Sequence, residues 1–120
     1  MGYRVFWQVP HQFLYLELEG YLSLDDFMQI NLTINDLLSA EVKDRQVTLV
    51  IDITRPCTAP KAFAQLKASQ TYLMRRDLKY ILVVGSNKLM RLMMMLTFNL
   101  SKPSLWFFDN FEQALKFAQW

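Results

Sequence analysis

Val47-Thr-Leu-Val-Ile-Asp-Ile-Thr54, followed by Arg55-Pro-Cys-Thr-Ala-Pro60, decides the fold. A run of β-branched and apolar residues with one acid near its end reads as a strand covered on both faces inside a parallel sheet. The loop behind it holds two prolines and runs into a helical pattern. In open α/β sheets, ligands and partners dock at the carboxyl ends of the strands. Chemistry therefore belongs in this loop, yet past Asp52 it has no glycine, histidine or carboxylate.

Upstream, Tyr3 to Val9 and Phe13 to Glu19 read as two strands joined by the turn Pro10-His11-Gln12, an antiparallel hairpin. In the second, Leu14, Leu16 and Leu18 form a dry face. Phe13, Tyr15, Glu17 and Glu19 point the other way and, beside Tyr3, Val5 and Trp7, make an expected aromatic surface. Gly20 breaks the strand. Ser23 with Asp26 three residues on reads as a capping arrangement for a helix to about Ala40, with Phe27, Ile30, Leu37 and Leu38 facing the core. The charged connection Glu41 to Arg45 returns the chain to Val47.

Downstream, Pro60 opens a helix with Phe63, Leu66, Tyr72 and Leu73 near one face, ending around Arg75-Arg76, where cations suit a helix C-terminus. Tyr80 to Gly85 is a second buried parallel strand. Ser86 or Asn87 caps a helix to about Leu100, which Lys102-Pro103 stops. Ser104 to Phe108 is the last strand, and Asp109-Asn-Phe-Glu112 starts a closing helix with Phe111, Leu115 and Phe117. This order predicts one α/β domain over residues 1–120: a single five-stranded mixed, mostly parallel sheet with an N-terminal antiparallel hairpin and four helices. The first strand is expected at the edge.

Composition narrows the function. A 52% hydrophobic chain folds around a real core, and a net charge of +2 does not call for nucleic acid or an anionic surface as partner. Arg75, Arg76 and Lys79 read as a solvated helix end. The lone cysteine, Cys57, excludes an internal disulfide and suits a cytoplasmic protein. With one histidine, His11, no metal set is apparent, and neither an acid–base pair nor a phosphate loop appears. The apolar run Leu89 to Leu100 is too short and too interrupted to span a membrane. No cofactor is expected.

Three stretches carry a family likeness: Leu16-Glu-Leu-Glu-Gly-Tyr-Leu22, Leu49-Val-Ile-Asp-Ile-Thr54 and Phe108-Asp-Asn-Phe-Glu-Gln-Ala-Leu115. With the element order, they resemble the STAS domains, found in sulfate transporters and bacterial anti-sigma-factor antagonists. The resemblance implies a non-catalytic regulatory domain acting by protein contact. Antagonists of that family carry an Asp-Ser-Ser-Gly-type motif, phosphorylated by a partner kinase, at the helix after the central strand. Here the corresponding stretch is near Thr58-Ala-Pro-Lys-Ala62, without serine or glycine. The nearby hydroxyls are Thr54 and Thr58, and a turn or cap role suits Thr58 better than a phosphoswitch. Asp52 reads as an acceptor for backbone N–H groups of its own loop, with loop holding or cation binding as the alternative. Cys57 reads as a small apolar residue, because no base lies near it in sequence.

The helix from Asn87 to Leu100 carries more apolar surface than one buried stripe needs. Leu89, Met93, Leu96 and Leu100 form one expected stripe beside Leu92. Met90 and Met94 flank it, and Met95 falls in the polar strip with Lys88, Arg91 and Asn99. Met90, Met93, Met94, Met95 and Phe98 are the expected partner or ligand surface. They would cover a second copy, another protein, or an apolar ligand such as an acyl chain, unless the helix is simply core.

Overall fold

The computed structural model describes residues 2–10, 12–41, 46–98 and 102–118, with only the backbone of Ala40, Glu41 and Phe63. Strands β1 (Tyr3–Val9), β2 (Phe13–Leu18), β4 (Val47–Asp52), β6 (Leu78–Val84) and β7 (Ser104–Phe108) form one sheet in the order β1-β2-β4-β6-β7. β1 and β2 are antiparallel and every other neighbouring pair is parallel. The deciding stretch is the central strand, with all six residues of β4 buried. β1 is the antiparallel edge, as the sequence predicts.

Helices α1 (Leu24–Glu41), α2 (Phe63–Ser69) and α3 (Lys88–Thr97) cover one face, burying Leu14, Leu16 and Leu18 with Leu49, Ile51, Ile81 and Val83. α4 (Phe111–Ala118) covers the other, over Tyr15, Val50, Leu82 and Val84. Two-sided cover explains why β4 and β6 lack polar alternation. The α1 capping box is present: Ser23 N–H donates to Asp26 Oδ2 (2.8 Å) and Asp26 N–H to Ser23 Oγ (3.1 Å).

Four expectations change. Register pairs Tyr3 with Leu18, Val5 with Leu16 and Trp7 with Leu14. Tyr3, Val5 and Trp7 therefore lie on the leucine face and pack on the main core, while Phe6 stacks on Tyr15 (ring centroids 5.2 Å). The expected aromatic surface is thus divided between two faces. Gly20, at φ +73°, does not end strand structure: β3 (Gly20–Tyr21) pairs in parallel with β5 (Cys57–Thr58), inside the stretch read as loop. The helix expected from Pro60 to Arg76 is two pieces, α2 and a 3-10 turn over Thr71–Met74. Asn31 on α1 causes the break, its Oδ1 accepting from Thr71 N–H (2.7 Å). β4 ends at Asp52, two residues early, because Asp52 Oδ1 accepts from Thr54 N–H (2.8 Å) and turns the chain. Expectations on His11, Val42 to Arg45, Leu100 and the Phe63 side chain fall outside the described residues.

Candidate functional site

At the carboxyl end of β4 a buried carboxylate is tied on three sides. Asp52 Oδ1 accepts from Thr54 N–H and from Thr54 Oγ1 (2.6 Å), and its Oδ2 accepts from the Tyr15 hydroxyl. Phe6 and Phe111 enclose the Tyr15 ring. Burial first, then the bond to Asp52, raises the Tyr15 phenol well above its ordinary range. Outside this knot Glu17 pairs with Arg4 (3.2 Å) and Arg55, and Arg55 pairs with Glu19 (3.1 Å). These side chains satisfy one another, and such an arrangement holds a loop in place. Among the described residues, no three His, Cys, Asp or Glu side chains converge on one point.

The two threonines part company. The Thr54 hydroxyl donates to Asp52, on the α4 side of the sheet. Thr58 is exposed in β5, its carbonyl accepting from Leu22 N–H (2.9 Å), and lies upstream of Ala62, the N-cap of α2. Neither hydroxyl caps α2, because the cap residue is an alanine. Cys57 is buried beside Thr58, and desolvation, then Asp52, pushes its thiol up to about 11. At neutral pH it is a thiol with little nucleophilic character.

α3 has two apolar faces. Asn87 caps it, accepting from Met90 N–H (3.1 Å) while its amide donates to the Cys57 carbonyl (3.3 Å). Arg91 fixes the rotation: its Nε donates to the Gly85 carbonyl (2.7 Å), its Nη2 pairs with Asp109 (3.0 Å), and it lies over the Phe107 ring. Met90, Met93, Met94 and Phe98 consequently point into the core, at most 4% exposed. Met95 points outward with Leu89, Leu92 and Leu96, all more than 40% exposed. Of the five expected surface residues only Met95 is on the surface. Leu89 and Leu96, expected in the stripe with Met93, are on the outside instead, as is Leu92 beside them. The inner face holds a crevice lined by Met93, Met94, Phe98, Leu66, Tyr72 and Gln70 among others, with ≈ 10 Å³ of free room, about one water molecule. Gln70 is 2% exposed; its amide donates to the Phe27 carbonyl (3.0 Å), and no donor among the described residues meets its Oε1. Sequence reading missed Gln70, because a glutamine in a helical run carries no signal of burial.

The strand order, two-sided helical cover and tied loop define a small α/β domain built round a mixed five-stranded sheet. The family model for SpoIIAA-like proteins matches residues 13–119, and the chain belongs to that family. The likeness to STAS domains read from the sequence therefore stands. Among solved structures, an uncharacterized DUF3478-family protein from Shewanella loihica PV-4 with a SpoIIAA-like fold superposes with a TM-score of 0.70 at 18% identity. The match covers 98% of this chain and 94% of that one. No curated protein sequence matches this chain. Among the described residues no helix is long and apolar enough to cross a membrane.

Proposed function

We propose that this chain is a non-catalytic regulatory domain of a bacterial cytoplasm that acts by protein–protein contact without a phosphoswitch. One observation carries it: α3 turns Leu89, Leu92, Met95 and Leu96 to the surface at i, i+3, i+6 and i+7, one continuous apolar stripe, while a second stripe already fills the core. A helix needs only one buried face to fold. Incubation with an antagonist-type kinase is expected to leave Thr54 and Thr58 unmodified, and stoichiometric phosphate on either threonine overturns that part. For the contact itself, a photo-crosslinking residue at position 92 in the producing cells should give one defined protein adduct, absent when the probe sits at position 112 on α4. Equal labelling at both positions sinks the reading.

A second reading, a carrier of an apolar lipid-like ligand, is favoured by the crevice beneath α3. Its lining is apolar except for Tyr72, Thr97 and the unmet Gln70 oxygen. An acyl chain needs far more room than one water occupies, so this reading requires α3 to lift. Native mass spectrometry of the purified protein decides it: a co-purified adduct of a few hundred daltons, on the order of one acyl lipid, supports the carrier, and a bare chain mass refutes it.

A further inference from the structure

We propose that two copies of this chain pair through β7, antiparallel about a two-fold axis at Trp106, joining their sheets edge to edge. This goes beyond the α3 contact and uses a different surface.

Among the described residues, β7 ends the sheet and pairs only with β6. Its sequence, Ser-Leu-Trp-Phe-Phe, contains no charge, proline or bulge, the devices that usually protect an open edge. The opposite edge, β1, has such protection: Arg4 within the strand and a register shift between Trp7 and Val9. The Phe108 carbonyl accepts from Gly85 N–H (2.8 Å), so the backbone groups of Phe108 face β6. By alternation those of Trp106 and Ser104 do too, and the N–H and C=O of Leu105 and Phe107 face outward.

These four outward groups select one register. Pairing Leu105 with Phe107 of the second copy, and Phe107 with its Leu105, satisfies all four on each strand. A shift one way sets Phe107 against Pro103, which has no N–H to give. A shift the other way sets Leu105 against Asp109, whose N–H already donates to Gln113 Oε1 (3.2 Å). The ladder therefore ends where the strand ends. The chosen register places the two Trp106 residues directly opposite in a non-hydrogen-bonded pair, where side chains approach most closely. Trp106 is 48% exposed and backed by Phe117 (ring centroids 5.0 Å), so one side of its ring is open. The antiparallel sense also brings the Lys102 end of each strand to the Asp109 end of the other, opposite in charge; both residues are exposed. A symmetric partner with matching ends is a second copy of this chain.

Sedimentation equilibrium across a concentration series tests it. Wild type should dimerise, and Trp106→Lys, which sets like charges face to face, should raise the dimer dissociation constant at least tenfold. Leu89→Lys with Leu92→Glu on α3 should leave that constant unchanged. Leu105→Pro removes an outward N–H that a monomer does not use, so a folded monomeric variant supports the pairing even if Trp106→Lys fails to fold. Hydrogen exchange adds a direct reading: the Leu105 and Phe107 amides should gain protection as concentration rises. A wild-type monomer, a Trp106→Lys dimer of unchanged affinity, loss of the dimer in the α3 variant alone, or concentration-independent exchange at these two amides overturns it.

Discussion

Tyr15 lies opposite Val50 in the sheet, and its hydroxyl reaches two residues further along β4 to donate to Asp52. One phenol thus ties the hairpin to the end of the central strand. Tyr15→Phe should cost about 1–3 kcal/mol in urea unfolding, since a buried carboxylate loses a donor.

The same bond sets a pH dependence. The Tyr15 phenol is held neutral in the folded chain, by burial first and by Asp52 second, so its folded pKa lies above the ordinary value of 10.0. A raised value stabilises the fold fully below the unfolded pKa and loses that contribution as pH rises past it. The Tyr15 contribution should hold to about pH 10 and fall above it, on top of a decline from Cys57 that begins nearer its ordinary value of 9.0. Tyr15→Phe, less stable throughout, should lose less over that alkaline range, which chemical denaturation at stepped pH checks.

Cys57 gives a second readout. With its thiol pushed up to about 11, reaction with an aromatic disulfide reagent at pH 8 should be on the order of a hundredfold slower than in the denatured chain. Equal rates in the two states would place the thiol in solvent.

Met94 and Met95 are adjacent and unlike: 4% and 53% exposed. Met94→Ala should cost about 2–5 kcal/mol and Met95→Ala within about 0.5 kcal/mol, read from thermal or urea unfolding. Met94→Glu should not fold, because it buries an unpaired charge, whereas Met95→Lys should fold normally.

That pair also shows what the sequence could and could not disclose. β4 and β6 were legible because a strand covered on both faces is apolar throughout. α3 was legible as a helix, but its rotation was not. Both sides are apolar, and the choice was made by Arg91 reaching Gly85 and Asp109, the latter 18 residues away. The break after α2 depends on Asn31, 40 residues from Thr71. In β1 both Phe6 and Trp7 are large and aromatic, so alternation could not say which faced the leucines. Register decided it.

Gly85 follows β6 at φ +131°, and a Cβ there would lie 2.9 Å from the Ile53 carbonyl carbon and 3.0 Å from its oxygen. Gly85→Ala should destabilise by more than about 2 kcal/mol, from backbone strain and overpacking together. It should also disturb α3, since the Gly85 carbonyl holds Arg91. Unfolding curves and the Arg91 side-chain resonances report the two effects separately.

The parallel contact of β3 with β5 has a consequence for what this segment can become. Gly20 N–H donates to the Pro56 carbonyl (2.8 Å), and Leu22 N–H to the Thr58 carbonyl (2.9 Å). Ile53 N–H, just upstream, is held by the Val84 carbonyl (2.8 Å). The chain between Ile53 and Thr58 is thus pinned at both ends with no slack. Of its exposed side chains, Pro56 and Thr58 can be exchanged in size and charge, whereas Thr54 is tied to Asp52 and Arg55 to Glu17 and Glu19, and one added residue must either bulge into solvent or unzip the clip. New chemistry at this strand end must therefore come by substitution, because the segment has no length to spare.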